Sequence, residues 1–596
     1  MESRLKIQSE RIAVSGLLLA GLWLCAGQAQ GQSSAAGVCP AGRIVNVNVV
    51  TEPVFSNGAS GLEGTFYDVG NGLHVETRHG LVRRELLLKP GDCFDPLRLS
   101  ESERLLRSMR FIKTAKVEAI PRGDGNYDVQ VVTRDDWTLR IEPEVALGRG
   151  VEVTGIRLAE RSLLGTGRSI DLQMLSRPGP ERWALFYTNP QWMKTRWDLD
   201  LSGGRTEPGH FGGAALRYPF VGLVGRRSAF VGGGYRESWF RFITGDAEDR
   251  NDVVLPSIQR TAQFGGAWRK AADGISPRAP RLGTFGATIS YESLGYGAVF
   301  FQDSTTADRI GVSEEEADSI AQAELSPRNT LRLNAIVGVL ALEFVQREGL
   351  TSVNAIEDVA LGASADLTLG VAAPVLGTDD RHLLVGLEGY AGAQLARRLL
   401  MVVRGSFEAR RDYEAGKWRD VFGAIDVETF WSSTARNTLE LRGRLSAGWQ
   451  ATVPFQLTLG GLNGLRGYSG HRWPGGRRAV VTLEDRTHLL SVGQLLDFGT
   501  TFFVDAGEMW VNDAPFGTNS GLRASFGAGL RFAIPTGSRT TYELVVMGPL
   551  DSTLSSDGLI ITFRRRRFRR IETRIPDFEL ERSRDVGLRT AVRNLQ

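Results

Sequence analysis

The stretch Gly460-Gly461-Leu462-Asn463-Gly464-Leu465-Arg466-Gly467-Tyr468 places one cation among four glycines. Glycine adopts backbone conformations that other residues avoid, so this segment can fold tightly and direct Arg466 away from its own chain. Further along, Phe503-Val504-Asp505-Ala506-Gly507 places a carboxylate within an alternating apolar run. A charge in a half-buried strand is costly unless it is paired. We therefore predict that Arg466 and Asp505 form one interaction.

The first of these motifs resembles the loop signature of the outer-membrane assembly and translocation superfamily, which includes BamA, TamA and the two-partner-secretion transporters. In that family the motif lies at the tip of a long extracellular loop folded back into a β-barrel, where its arginine contacts a Phe-x-Asp-x-Gly strand. The resemblance implies a loop motif at Leu465, Arg466, Gly467 and Tyr468, with barrel-wall partners at Phe503, Asp505 and Gly507. The alternative is a glycine-rich hairpin with a surface arginine and an unrelated carboxylate.

Composition is compatible with such a barrel. Glycine supplies 71 of 596 residues, and 71 basic residues oppose 68 acidic ones for a net charge of +3. This balance argues against a bulk polyanion such as nucleic acid as partner and leaves membranes and proteins open.

The N-terminus has the parts of a secretory signal: Arg4, Lys6 and Arg11, then the apolar run from Ile12 to Cys25, then small residues. We predict a signal peptide at 1–29 and a linker at 30–42. Cys25 offers a lipoprotein signal as an alternative. No other run is long and apolar enough for a membrane-spanning helix, so the exported chain is either soluble outside the cytoplasm or an outer-membrane barrel.

Two cysteines remain after the signal, Cys39 and Cys93. In an oxidising periplasm they could form a disulfide, and two unpaired thiols are the alternative. Neither a Cys-x-x-Cys motif nor a histidine cluster indicates a metal site.

Residues 43–135 predict a small α/β domain in the periplasm. A strand from Ile44 to Val49 is followed by helical stretches at 82–88 and 97–109 and by strands at 113–120 and 127–132. This order is similar to a POTRA domain. The open edge of its sheet could receive an extended client as one more strand, or the domain could be a spacer.

Residues 136–563 alternate between apolar and polar positions, which is typical of strands that face lipid on one side and a lumen on the other. Because unpaired backbone groups are not tolerated in lipid, such strands must close into a barrel. The resemblance implies a mostly β protein with a transmembrane antiparallel barrel of about sixteen strands, the loop joining strands eleven and twelve. A soluble β-sandwich or soluble barrel alternates in the same way.

Five strands are predicted after the loop, at 478–487, 498–508, 521–533, 539–548 and 557–563. Before it, up to about fifteen candidate strands stand where the family has eleven. Ser162-Leu163-Leu164-Gly165-Thr166-Gly167 resembles the family's turn between its second and third strands. Residues 302–330 predict a long exposed loop, with a helix start at Ser313 before three glutamates.

Residues 564–596 form an Arg-rich C-terminal tail. If the barrel is oriented as in the family, this tail lies in the periplasm, where it could bind anionic lipid or a partner protein or remain solvated.

No phosphate loop or zinc motif occurs, so we expect neither an enzyme nor a cofactor. The resemblance implies an outer-membrane protein that assists insertion or translocation of unfolded outer-membrane or secreted clients, in contact with outer-membrane lipid and periplasmic accessory proteins. The alternatives are a dedicated two-partner-type secretion pore and a passive channel or structural surface antigen.

Overall fold

The structure is a computed structural model. It describes residues 39–56, 61–147, 151–175, 182–244, 252–271, 280–302, 306–461, 464–468, 470, 472–550, 558–566 and 577–584. The signal peptide, the first part of the linker and much of the C-terminal tail lie outside the described residues, as do Leu462 and Asn463 of the glycine-rich stretch.

The N-terminal part is a small α/β domain. Its elements are β1 (Ile44–Glu52), α1 (Gly61–Leu73), α2 (His79–Glu85), α3 (Pro96–Ser108), β2 (Ile112–Pro121) and β3 (Tyr127–Asp135). The sheet order is β1-β3-β2, with β1 parallel and β2 antiparallel to β3. Helix α1 was not predicted, because its four glycines weaken the helical pattern.

Local sequence explains the helix boundaries of this domain. Helix α3 begins where Asp95 accepts a hydrogen bond from the Leu97 N–H at 2.9 Å and Pro96 occupies the first helical position. Helix α2 lies earlier than the predicted 82–88, since the backbone is already extended at Leu86. The leucines at 86 and 88 are nevertheless buried in the domain core.

Most of the rest of the described chain forms one large antiparallel sheet, accompanied by a separate two-stranded sheet and three short α-helices. Its first strands are β4 (Leu139–Leu147), β5 (Val151–Glu160), β6 (Ser169–Leu175), β7 (Arg182–Trp192), β8 (Trp197–Arg205), β9 (His210–Tyr218), β10 (Arg227–Ile243), β11 (Asp252–Ala271), β12 (Arg281–Tyr296) and the two-residue β13 (Phe300–Phe301). Next come β14 (Arg328–Glu348), β15 (Ile356–Ala372), β16 (His382–Ala396), β17 (Leu399–Asp412), β18 (Lys417–Trp431) and β19 (Asn437–Trp449). Two short loop strands, β20 (Leu457–Thr458) and β21 (Pro474–Gly475), precede β22 (Arg477–Val492), β23 (Leu496–Trp510), β24 (Arg523–Ala533), β25 (Thr541–Pro549) and β26 (Ile560–Arg566).

Strand order follows chain order throughout the large sheet. Among the described residues, fifteen long strands precede the glycine-rich loop and five follow it, so the strand count differs from the expected sixteen. The surplus lies entirely before the loop, where the sequence offered about fifteen candidates. The last strand lies beside the first, but their contact is much sparser than between other long neighbours, and no continuous ladder joins them in the described part of the chain.

Alternation along the strands separates two faces. On β23, Phe503, Asp505 and Met509 are buried on the inner side, whereas Phe502 and Val504 on the outer side are exposed. On β24, Arg531 is buried and Leu530 is exposed. The predicted alternation is therefore present, with apolar side chains outward and many charged ones inward, which suits lipid outside and a polar lumen.

The N-terminal domain packs against one end of the barrel. The turn Leu163–Gly165, between the second and third strands, lies on this domain, and its Gly165 carbonyl accepts a hydrogen bond from the Arg78 N–H at 2.9 Å. Gly165 has φ +68°, and a Cβ there would lie 2.1 Å from the carbonyl oxygen of Glu76. This close approach requires glycine.

The expected exposed loop at 302–330 is wrong in part, whereas the helix start expected at Ser313 is confirmed. It contains α4 (Thr306–Ile310) and α5 (Glu314–Gln322), the latter capped by Ser313, which accepts a hydrogen bond from the Glu316 N–H at 3.2 Å. Ala317 and Ala321 of α5 are buried against the strands below, so the segment is folded. No helix within the described residues is long and apolar enough to cross a membrane.

Candidate loop and barrel-wall site

The segment 450–476 between β19 and β22, here called the motif loop, folds back into the lumen from the end opposite the N-terminal domain. Its tip is compact: the Leu465 N–H donates to the Leu459 carbonyl at 2.6 Å. A Cβ at Gly464 would lie 1.7 Å from that same carbonyl oxygen. Glycine at this position therefore allows the tip to close on itself.

Arg466 contacts two neighbouring strands of the barrel wall. Its Nε and Nη2 donate to the two carboxylate oxygens of Asp505 on β23, each at 2.7 Å. Its Nη1 donates to Glu484 on β22, also at 2.7 Å. The guanidinium lies over the Phe503 ring, 3.4 Å from its centroid. The structure thus brings together the arginine, the carboxylate and the aromatic residue of the two sequence motifs.

The arrangement is buried and tightly linked. Arg466 is 8% exposed and Asp505 is fully buried. The Thr482 hydroxyl donates to Asp505 at 2.8 Å, and Arg486 Nε donates to Glu484 at 2.7 Å. A buried ion pair contributes favourably when its charges balance and its remaining hydrogen bonds are made. This network meets both conditions, so it fixes the position of the loop tip on the wall.

The glycines of the motifs allow the loop to approach the barrel wall closely, and the tyrosine forms a hydrogen bond with the wall. A Cβ at Gly467 would lie 2.6 Å from the carbonyl of Gly548 on β25 and 2.7 Å from the Cβ of Ser525 on β24. Tyr468 donates its hydroxyl proton to the Ala524 carbonyl at 3.0 Å. Gly507 leaves room for Leu465, whose Cδ2 would be 3.3 Å from a Cβ there. The loop therefore touches four consecutive strands.

Sequence reasoning missed Glu484, the second carboxylate at Arg466. The first half of β22 contained a signal, because Thr482 and Glu484 alternate with the apolar Val481 and Leu483. The sequence alone did not give the register between β22 and β23. In that register Glu484 faces Phe503, the residue over which Arg466 lies, and this brings Glu484 within reach of Arg466.

The tail prediction needs correction. Arg564 to Arg566 belong to β26, and residues 577–584, here called the C-terminal segment, lie against the inner wall of the barrel rather than in the periplasm. Asp577 accepts hydrogen bonds from Ser446 on β19 at 2.7 Å and from Arg478 on β22 at 2.8 Å. Polar and charged residues of the inner wall bind this segment. The Arg-rich composition of the tail did not predict these contacts.

A second element enters the lumen from the domain end. The turn 349–355 between β14 and β15 presents its carbonyls to buried arginines: Leu350 accepts from Arg486 and Thr351 from Arg531, each at 2.7 Å. Glu357 accepts hydrogen bonds from the Thr351 and Ser352 N–H groups at 2.9 Å. The lumen is therefore filled from both ends by chain segments bound to its charges.

An ion pair joins the N-terminal domain to the barrel. Arg107 of α3 donates from Nη2 to Asp358 of β15 at 2.7 Å and also contacts Glu103 of its own helix. Burial alone lowers the pKa of Arg107, but Asp358 and Glu103 outweigh it and raise that pKa above its usual value. Nearby, burial lowers the pKa of Lys113 on β2. These groups fix the domain against the barrel end.

The structure also joins Cys39 and Cys93 as a disulfide, with Cα atoms 5.3 Å apart. The bridge links the start of the N-terminal domain to the segment before α3. Among the described residues, no group of histidine, cysteine, aspartate and glutamate side chains is arranged to hold a metal ion.

One family model matches part of the chain. The model of the Omp85 superfamily domain matches residues 423–540, a range that contains the motif loop, Arg466, Glu484 and Asp505. The match over this range confirms the resemblance derived from the two motifs. A search of curated proteins finds no match.

Solved structures similar to this chain include two kinds of protein. BamA from Haemophilus ducreyi lacking POTRA domains 1–3 shares 15% identity with a TM-score of 0.32, over 88% of this chain and 84% of that one. CdiB from Acinetobacter baumannii shares 10% identity with a TM-score of 0.40, over 88% of this chain and 73% of that one. CdiB from Escherichia coli shares 11% identity with a TM-score of 0.36, over 92% and 96%.

Proposed function

We propose that this protein assists other proteins in entering or crossing the outer membrane, receiving an extended client at its N-terminal domain and passing it to the barrel. The observation that supports this most directly is the attachment of Arg466 to Asp505 and Glu484 within the range matched by the Omp85 superfamily domain. A motif loop fixed in this way holds the barrel wall in register while other parts of it move.

The N-terminal domain would act as a POTRA-like receiver. Since β3 lies between β1 and β2, each outer strand has an edge that no other strand of the described domain sheet covers. Part of the β2 edge is occupied, because the Val117 N–H donates to Glu103 of α3 at 3.0 Å. The edge of β1 is occupied only at its start, where the Ile44 N–H donates to the Asp92 carbonyl at 2.9 Å and the Ile44 carbonyl accepts from the Gly91 N–H at 2.8 Å. The rest of this edge is the place we propose for an extended client to add as a strand.

The seam between β4 and β26 would be the place where the barrel acts on the client. It has much sparser contact than the other long strand pairs, and Arg565 and Glu142 form an ion pair across it. Separating two weakly joined strands exposes backbone groups that a client strand can pair with. Strand pairing and burial of the client's apolar surface in lipid supply the free energy, so no nucleotide is needed.

The test is reconstitution of the full chain in liposomes, followed by the folding rate of an unfolded outer-membrane barrel added from the domain side. We expect acceleration over empty liposomes. A photo-crosslinking residue at Val50, exposed on β1, should capture the client, whereas the same residue at Phe66, exposed on α1, should not.

Correctly folded protein that gives no acceleration would reject the insertion function. Export of a single passenger by the same liposomes would then favour a dedicated secretion pore, and ion flux without any client effect would favour a passive channel.

A further inference from the structure

The C-terminal segment is held by charges of opposite sign at its two ends. At its start, Asp577 and Glu579 contact Arg478 at 2.8 and 2.5 Å. At its end, Arg584 contacts Glu388 on β16 at 2.8 Å and Glu408 on β17 at 3.1 Å. The two sets of wall charges therefore fix the direction in which the segment binds.

The middle of the segment packs into an apolar cluster of the motif loop. Leu580 is buried together with Leu457, Leu459 and Leu465, the last of which belongs to the motif itself. A four-residue helix, α6 (Phe578–Glu581), presents this leucine, and Asp577 caps it by accepting the Leu580 N–H at 3.2 Å. An apolar contact between two charged ends adds selectivity for a segment of matching spacing.

Polar contacts connect the segment to the stem of the motif loop. Glu579 accepts the Thr458 hydroxyl at 2.6 Å, and Ser583 donates to the Pro454 carbonyl at 2.6 Å. Arg582 donates to the Gln456 carbonyl at 3.2 Å. The segment thus contacts the loop along residues 454–459 and at Leu465, which is adjacent to Arg466.

We propose that the inner wall and the motif loop form a directional peptide-binding site, whose ligand is the chain's own C-terminal segment, and that its occupancy obstructs the lumen and holds the loop stem in place. The class of ligand is a short peptide with carboxylates at one end, a leucine in the middle and a guanidinium at the other end. This site is separate from the Arg466 pair and does not depend on the proposed action on clients.

The charges of the wall support this assignment. Arg478 is almost fully buried, and its contacts with Asp577 and Glu579 are both made by the segment. A buried cation that loses its carboxylates is costly. An inner wall that carries a cation at one position and two carboxylates at another is suited to a ligand with the reverse order of charge.

Thiol labelling of the full chain in liposomes tests the site. Ser583 is 5% exposed and Phe578 is 71% exposed, so we make the variants Ser583→Cys and Phe578→Cys, each with the native cysteines bridged. A small water-soluble maleimide should label Cys at 583 at least about tenfold more slowly than at 578, because burial limits access to the thiolate. Equal labelling in folded protein would overturn the proposal.

Charge reversal tests the polarity of the site. Adding Arg584→Glu should raise labelling at 583 to the rate at 578, and adding Glu388→Arg as well should restore protection. Ion conductance across a planar bilayer should rise with Arg584→Glu and fall again in the combined variant. Unchanged labelling and conductance in Arg584→Glu, with heat-modifiable mobility showing a folded barrel, would also reject the site. If the combined variant does not fold, the single variant alone decides.

Discussion

The N-terminal domain and the barrel bury opposite kinds of side chain. The core of the domain is apolar, with Leu81, Leu106 and Val131 fully or almost fully buried. The barrel interior instead buries Arg466, Asp505 and a network of other charges, while leucines and valines such as Leu483 and Val504 are exposed on its outer face. One chain thus follows two rules of burial, because water surrounds the domain whereas lipid surrounds the barrel.

The largest effect is expected where the interior depends on paired charge. Asp505→Ala removes the carboxylate that accepts from Nε and Nη2 of Arg466 and leaves the contact with Glu484, so we expect a loss of about 3 to 5 kcal/mol in barrel stability. Urea unfolding in lipid bilayers, followed by tryptophan fluorescence, measures it. Arg466→Ala should give a similar loss, and the double variant should lose much less than the sum. Additive losses would show that the two residues act separately.

The domain core should respond to loss of apolar volume. Leu106→Ala removes a fully buried side chain of α3, and we expect a loss of about 2 to 5 kcal/mol through lost burial and the remaining cavity. Hydrogen exchange of the domain amides in the full chain measures this. Leu73→Ala, at an exposed position of α1, is the matched control and should be nearly neutral. Equal effects would contradict the assignment of the core.

Two residues of equal exposure distinguish lipid from water directly. Leu483 on β22 is 45% exposed and Ile120 on β2 is 46% exposed. Leu483→Arg should cost about 2 to 4 kcal/mol in bilayers, as a charge on the lipid face does near the midplane. Ile120→Arg faces water and should change stability little. A neutral Leu483→Arg would reject the lipid-facing assignment of this strand.

The smallest effect is expected where the two regions meet. Asp358→Asn removes the charge that Arg107 meets on the barrel, and we expect a loss of about 1 to 2 kcal/mol in the attachment of the domain. Increased hydrogen exchange of α3, with unchanged exchange of the barrel strands, would show it. Gln394→Ala, at an exposed position of the barrel end, serves as the control. No change in α3 would mean that apolar contacts alone fix the domain.

Local patterns predicted much of this molecule. Alternation located the five strands after the loop within a few residues, and the turn at Leu163–Gly165 has the place that its resemblance implied. Two short motifs identified Arg466 and Asp505 as partners, since a lone charge in a buried strand requires one. These features follow from residues close together in the sequence or from the high cost of burying one unpaired charge.

Other features depend on which distant segments meet. Helix α1 was missed because its glycines obscure a helix that tertiary contacts stabilise, such as the hydrogen bond at 2.8 Å from the Gln494 N–H of the barrel to Tyr67. The number of long strands before the loop in the described residues agrees with the roughly fifteen candidate segments in the sequence, and not with the eleven strands of the family pattern. Composition alone gave no reason for the tail to re-enter the barrel.

The sequence by itself determined the strand alternation, the two faces of the barrel and the need of Arg466 for a carboxylate, because each follows from short-range pattern and the cost of unpaired charge. The tertiary structure decided that Glu484 shares this arginine and that Asp577 and Arg584 find their partners on the inner wall. The register of the strands and the return of the C-terminal segment into the barrel bring these residues together. Neither follows from the local sequence pattern, because the partners lie far apart in the sequence.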